Sequence, residues 1–208
     1  MSEGGAMQIP AIPAKRRQIL TGARQVFAEL GFERASVDLI AARAGVSKAT
    51  VYNHFEDKKA LFVAAVVQEC DDLRAGLERC LERPVGAAEQ GLQLLGEKVM
   101  AVSLAPPIAA LYRQAVAEAA RLPEIGRMLF ERGTLAIQEA LASHLARWNE
   151  AGALRIEDPR SAAIAFVALC QGDLAIRSRL GILEYPVDEQ IRETVKRAVA
   201  IFVAAHRA

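Results

Sequence analysis

The chain has 208 residues, of which 52% are hydrophobic and 25% charged, and its formal net charge is +1. The apolar share excludes a disordered chain, and the near-neutral charge argues against a protein that is basic throughout. Residues 1–60 carry nine Lys/Arg and six Asp/Glu, whereas the rest carries 17 and 19. A weakly basic head on a slightly acidic body is consistent with a polyanionic partner bound at one end.

Cys70, Cys80 and Cys170 lack the CxxC spacing of a metal or disulfide framework. We therefore expect no metal site, no cofactor and a reducing cytoplasmic location. The N-terminus lacks the charge order of a signal peptide, and the longest uncharged run, residues 99–112, is too short to span a bilayer. We expect no membrane association.

Helical spacing dominates the first part of the chain, after a Gly- and Pro-bearing arm over residues 1–13. Gly31 and Gly45 are predicted to end helices, and Ser36, Ser47 and Asp57 to cap the helices that follow them. The predicted helices are 14–30, 37–44, 48–53 and 58–82.

Five further helices are predicted, over residues 84–102, 108–121, 124–150, 159–180 and 187–206. Pro106 and Pro107 suit the first turn of the second of these. An apolar stripe is expected on the helix 124–150, formed by Phe130, Ile137, Leu141, Leu145 and Trp148. The expected fold is all-α, with about nine helices. The expected division of the chain is an arm 1–13, a head 14–60 and a body 61–208.

Residues 37–56 satisfy the demands of two short helices that cross near a right angle. Ala41 is small where the helices cross, Gly45 permits the positive φ of a tight turn, and Val46 and Val51 can pack inward. Polar groups able to meet phosphates and base edges remain on the second helix: Ser47, Lys48, Thr50, Tyr52, Asn53 and His54. An ordinary helical hairpin with a solvated polar face is the alternative.

The stretch FAELGFERASVDLIAARAGVSKATVYNHFEDKKALF resembles the DNA-binding head of the TetR family of regulators over its full length. The resemblance implies phosphate-positioning roles for Ser36, Thr50, Tyr52, His54 and Lys58. It implies base reading by Ser47, Lys48 and Ala49, and a head core of Phe27, Phe32, Ile40, Val46, Val51, Phe55 and Leu61. The later stretches YRQAVAEAARLPEI and WNEAGALRIEDP resemble the body type named after the AefR repressor.

The resemblance also implies that residues 14–60 are a helix-turn-helix DNA-binding domain and residues 61–208 an effector-binding and dimerisation domain. The body would bind a small effector and form a homodimer through helices 159–180 and 187–206. Small residues could permit close approach there: Ser161, Ala162, Ala163, Ala165, Ala168 and Gly172. Val199 and Phe202 are expected in the dimer seam. We expect an apolar or aromatic effector, because ligand chambers are mostly lined by hydrophobic side chains. The polar or aromatic candidates for contacting it are Arg113, Trp148, Gln171 and Asp173.

An enzyme is not expected, since no HExxH, GxSxG or P-loop motif occurs. The prediction is a sequence-specific regulator that binds pseudo-palindromic operator DNA as a homodimer. Repression relieved by the effector is the expected mode. A transcriptional activator, or a general DNA-binding protein without an effector, is the alternative.

Overall fold

The computed structural model describes residues 13–81, 87–183 and 188–207, and within these ranges it contains nine helices and no strand. The helices are α1 (Ala14–Arg34), α2 (Val37–Ala44), α3 (Lys48–Tyr52), α4 (Lys58–Leu81), α5 (Ala88–Ser103), α6 (Pro106–Glu118), α7 (residues 123–150), α8 (Pro159–Arg179) and α9 (Asp188–Ala205). The predicted all-α fold is therefore confirmed. The predicted arm lies, except for Pro13, outside the described residues, as do the predicted starts of the fifth and ninth helices and the predicted end of the fourth.

The chain divides into two compact units at the boundary between Ala65 and Val66. In the first unit, α1, α2, α3 and the start of α4 enclose an aromatic cluster. The ring centroids of Phe27 and Phe62 lie 4.9 Å apart, and those of Phe32 and Phe62 lie 5.2 Å apart. Phe27 and Phe62 are completely buried, and such rings contribute much of the apolar area that holds a small head together.

The core of the second unit is formed mainly by α5, α8, α9 and the C-terminal half of α7. Its buried side chains include Leu92, Met100, Leu145, Trp148, Phe166, Val195 and Phe202. Two N–H groups of the connection after α7 donate hydrogen bonds, one to a main-chain carbonyl and one to a side chain. Arg155 N–H donates to the carbonyl of His206 at 2.8 Å, and Ile156 N–H donates to Oδ1 of Asn149 at 2.7 Å.

Helix α7 contains a π-helical segment that the sequence did not reveal. It consists of Pro123–Met128, the π-helical turns Leu129–Leu135 and the α-helical Ala136–Glu150. The wider turns change the rotational register between its two ends. Leu141, Leu145 and Trp148 are buried as expected, but Phe130 is 56% exposed. The prediction that Phe130 belongs to the apolar stripe is therefore wrong, because it assumed one uninterrupted α-helical period.

Helix α8 is broken at Gly172, whose φ of 44° and ψ of −141° lie outside helical values. The prediction from the sequence was only that Gly172, as a small residue, permits close approach of another helix. Helix α8 is long and apolar enough to resemble a membrane-spanning helix, with a mean hydropathy of 1.2 over a window of 18 residues. Phe166, Val167 and Leu174 on this helix belong to the core of the second unit, which accounts for its apolar composition.

Candidate nucleic-acid interface and ligand cavity

Local hydrogen bonds fix the two short helices of the head. Leu39 N–H donates to Oγ of Ser36 at 3.2 Å, and Thr50 N–H donates to Oγ of Ser47 at 3.0 Å, so each serine caps its helix. Gly45, at φ 64° and ψ 39°, ends α2 in the left-handed conformation that a side chain disfavours. Only three residues, 45–47, therefore separate the end of α2 from the start of α3.

Helix α3 leaves most of the predicted DNA-binding side chains accessible. Val51 is 1% exposed and anchors the helix, whereas Tyr52 is 47% exposed. The exposed members of the predicted set are Ser36, Ser47, Lys48, Ala49, Tyr52, Asn53 and His54; Thr50 and Lys58 are half-buried. We call the seven exposed residues and Thr50 the polar face of the head. Its hydroxyl, amide and imidazole groups can donate to phosphate oxygens and base edges.

Lys48 is held by a partner on α2. Its Nζ donates to Oδ2 of Asp38 at 2.8 Å, and this hydrogen bond and the carboxylate charge raise the pKa of Lys48 above its ordinary value. Both side chains are more than half exposed. In this conformation the ammonium at the start of α3 is thus directed toward a carboxylate of the same chain.

Lys58 has a different environment from the one predicted. Its Nζ donates to the carbonyls of Phe32, Glu33 and Ala35 at 2.9, 3.3 and 3.2 Å. The ammonium also lies 4.5 Å from the centroid of the Phe32 ring. An ammonium has three N–H donors, so all three are satisfied within the head. In this conformation Lys58 closes the end of α1, and the phosphate contact expected for it stays a prediction.

The second unit contains a cavity of about 130 Å³. Five helices and the residue that follows α5 line it: Val66, Glu69 and Cys70 of α4; Val99, Met100 and Ser103 of α5, with Leu104 directly after it; Ile108, Ala109, Leu111 and Tyr112 of α6; Leu129, Gly133, Thr134 and Ile137 of α7; and Val167, Gln171, Ala175, Ser178 and Arg179 of α8. The π-helical turn brings Leu129, Gly133 and Thr134 to one wall. Most of this lining is apolar, as in binding sites for small organic molecules.

Of the four effector candidates from the sequence, Gln171 lines the cavity and the others do not. Trp148 is 8% exposed within the core, and Asp173 is an exposed partner of Arg177 at 3.8 Å. Arg113 donates to the carbonyl of Ser178 at 3.2 Å, behind the lining. Arg113 and Asp173 lie outside the lining although they are only one and two residues from Tyr112 and Gln171, because a step of one or two residues along a helix turns a side chain to another face.

The lining also contains Tyr112, Ser178 and Arg179, which were not among the candidates from the sequence. Gln171, Ala175, Ser178 and Arg179 follow the i, i+4, i+7, i+8 spacing of one helical face, which was the available signal. Cys70 also lines the cavity. Burial chiefly, and then the carboxylates of Asp71 and Glu69, raise the pKa of its thiol to about 11, so it stays protonated at neutral pH.

Helices α8 and α9 carry apolar side chains on their outer faces. Ile164, Ile176, Leu180 and Ile201 are 47%, 55%, 68% and 57% exposed. Ser161, Ala165, Ala168 and Gly172 are exposed beside them, whereas Ala162 and Ala163 are buried. Val199 and Phe202, which were expected in a dimer seam, are each 2% exposed and belong to the core of their own chain. The prediction that Val199 and Phe202 form the dimer seam is therefore wrong, because they lie on the face of α9 that packs against its own chain.

Comparison with known proteins agrees with this architecture. Residues 19–65 match the family model for bacterial regulatory proteins of the tetR family, and residues 90–208 match that for the C-terminal domain of AefR-like transcriptional repressors. A TetR-family regulator from Mesorhizobium loti superposes with a TM-score of 0.84 at 27% identity, over 93% of this chain and 97% of that one. The flavonoid-responsive regulator FrrA superposes with a TM-score of 0.70 at 30% identity, over 93% and 97%.

Curated relatives match over a shorter segment. The transcriptional repressor Rv1474c of Mycobacterium tuberculosis is 40% identical over 68 residues, which are 33% of this chain and 36% of that protein. The transcriptional activator FasR of Mycolicibacterium smegmatis is 40% identical over 67 residues, 32% and 31% of the two chains. These matches span about a third of the curated relatives. The family models and the full-length structural matches together show that the chain belongs to the TetR family of regulators, with a body of the AefR-like type.

Proposed function

We propose that this protein is a cytoplasmic transcriptional repressor that binds a pseudo-palindromic operator as a homodimer. The polar face of the head carries the proposal, since α3 has one buried residue, Val51, and otherwise offers its side chains outward. Ser47, Lys48 and Ala49 are proposed to read base edges. Ser36, Thr50, Tyr52, Asn53 and His54 are proposed to position phosphates.

Repression is proposed from the AefR-like description of the body and the repressor Rv1474c. Activation is the second candidate, because the activator FasR is equally identical over a similar segment. A reporter gene behind the operator separates the two: deletion of the regulator raises transcription if it represses and lowers transcription if it activates.

Dimerisation is proposed through the outer faces of α8 and α9. Ile164, Ile176 and Ile201 would be costly to leave in water, and the small residues beside them permit close approach of a second copy. A recognition helix of five residues reads few base pairs, so operator specificity requires two heads on adjacent half-sites.

Release from DNA is proposed to follow effector binding in the cavity. FrrA, which is 30% identical, is described as flavonoid-responsive, and this supports a small organic effector here. Helix α4 begins at Lys58 in the first unit and supplies Glu69 and Cys70 to the cavity. One continuous helix therefore contains a residue of the head and residues of the cavity lining. A ligand can lower operator affinity only by binding better to the conformation that binds DNA poorly.

The test is operator selection from random duplexes, followed by affinity measurements. We expect a pseudo-palindrome to be enriched and Tyr52→Ala to weaken its binding without loss of helicity. Gln25→Ala, at an exposed position of α1 outside the polar face, is the control and should bind like the parent. Failure to enrich any sequence, or equal binding by all three proteins, would refute the proposed interface.

A further inference from the structure

We propose that the cavity of the second unit takes a monocyclic aromatic carboxylate, bound with its ring among the apolar walls and its carboxylate toward Ser178 and Arg179. The inference rests on the proposed function insofar as this ligand would be the effector, and it specifies the effector's chemistry. It follows from three features of the cavity: its volume, an unpartnered buried hydroxyl and an unpaired positive charge.

The volume limits the ligand to about one ring. At about 130 Å³ the cavity is slightly smaller than the engineered apolar cavity of about 150 Å³ that binds benzene. Val99, Met100, Leu104, Ile108 and Val167 supply flexible or branched apolar contacts to such a ring. A flat, apolar ring fits these walls better than a sugar or a nucleotide, whose hydroxyl and phosphate groups would lose water without compensation.

Ser178 marks the polar end of the cavity. The residue is 1% exposed, and its Oγ has no hydrogen-bond partner within the described residues. A buried hydroxyl without a partner is costly, and such groups in native structures indicate a bound water or ligand. Gln171, on the same face of α8, also lines the cavity and has no hydrogen-bond partner in the described part of the chain. A ligand carboxylate can accept from both side chains.

The sign of the ligand charge follows from Arg179. Its guanidinium stacks over the Tyr112 ring, 5.1 Å from the centroid, and it has no acidic partner among the residues that the structure describes. Glu69, the acidic residue of the lining, has an interaction of its own. Arg179 is thus a cationic lining residue without an acidic partner in the described part of the chain, and a guanidinium pairs with a carboxylate through two parallel hydrogen bonds.

The experiment compares benzoate with benzamide, a neutral molecule of the same shape, by calorimetric or NMR titration of the full chain. We expect benzoate to bind about tenfold more tightly, since a hydrogen bond to a charged group exceeds a neutral one by that order. Arg179→Gln should weaken the binding of benzoate by a similar factor and change the affinity for benzamide by no more than about twofold. Arg177→Gln, two residues away in the chain and outside the lining, is the matched control and should bind both like the parent.

Ser178→Ala separates recognition from structure. Because Oγ has no partner within the described residues, its removal should leave the Tm of the ligand-free protein unchanged or raise it, while benzoate binding weakens. Equal affinity for benzoate and benzamide, or no response to Arg179→Gln, would overturn the proposal. If a larger compound releases the operator while benzoate does not bind, the ligand class is wrong and the proposed function stands. If benzoate binds as described without changing operator affinity, the ligand class stands and its role as effector fails.

Discussion

Nζ of Lys48 lies 2.8 Å from Oδ2 of Asp38, so an ion pair joins the first side chain of α3 to α2. Asp38→Asn should release the ammonium and remove an anion beside the proposed phosphate contacts. We expect tighter operator binding and a slope of log affinity against log salt that is steeper by about one unit. Affinities at several salt concentrations provide the measurement.

Glu29→Gln is the matched control for that change. It removes the same charge and frees Arg43 from two hydrogen bonds of 2.7 and 2.9 Å, but involves no residue of α3. An Asp38→Asn protein whose salt slope equals that of the Glu29→Gln protein would show that Lys48 gains no phosphate contact.

Lys58→Met should destabilise the head. The methionine keeps apolar contact with the Phe32 ring but leaves three carbonyls without their donor, which costs about 1–3 kcal/mol of the free energy of unfolding. Urea denaturation followed by circular dichroism measures this cost. Lys48→Met, which breaks only an exposed ion pair, should leave the free energy of unfolding nearly unchanged.

The salt dependence of operator binding decides what Lys58 does in the complex. If the ammonium stays on the carbonyls, Lys58→Met binds with the salt slope of the parent. A slope reduced by about one unit would mean that Lys58 exchanges the carbonyls for a phosphate when DNA binds.

Ile201→Glu and Phe202→Glu change neighbouring positions of α9 and should have different effects: the first on dimerisation, the second on folding. Ile201 is 57% exposed on the outer face, so the charge should yield a folded monomer with weak operator binding. Phe202 is 2% exposed and its ring lies 5.2 Å from that of Phe166, so the charge should unfold the second unit. Sedimentation and thermal denaturation test the pair. A dimeric Ile201→Glu protein would contradict the proposed dimer surface.

His144 should make stability fall in mild acid. It is 6% exposed and Arg147 Nη2 lies 3.0 Å from its Nε2, so burial first, and then the charge of Arg147, lower the pKa of His144 below its ordinary 6.5. The folded state therefore binds this proton less readily than the unfolded state. Stability is retained above pH 6.5 and declines as the pH falls below it.

The measurement is the free energy of urea unfolding at pH 7.5 and pH 5.5. His144→Gln should reduce the difference between the two values, and Arg147→Gln should reduce it in part, because it removes the smaller of the two causes. A His144→Gln protein with the full pH dependence of the parent would assign the loss to other groups.

Structural features that depend only on interactions between residues close together in the chain were predictable from the sequence. The caps at Ser36 and Ser47 and the turn at Gly45 depend on backbone groups at most four residues away, and the structure confirms them. The nine helices were equally predictable, because their apolar periods are long and their ends carry Gly, Pro or Asp.

Features that depend on packing between distant segments were not predictable. The carbonyls that bind Lys58 lie 23 to 26 residues before it in the chain. Trp148, an effector candidate from the sequence, lies in the core, whereas Ser178, which carried no prediction, lines the cavity. The π-helical turns that place Phe130 in solvent follow no local rule that composition reveals.

Helix α3 is only five residues long, and this restricts how its DNA-reading surface can be reused. A segment of that length cannot pay for helix nucleation in water, so its conformation comes from the Ser47 cap and from the burial of Val51 in the head. A synthetic peptide of residues 47–54 would be unstructured and would not discriminate between DNA sequences. Transfer of operator specificity to another scaffold therefore requires α2, the Gly45 turn and α3 as one block.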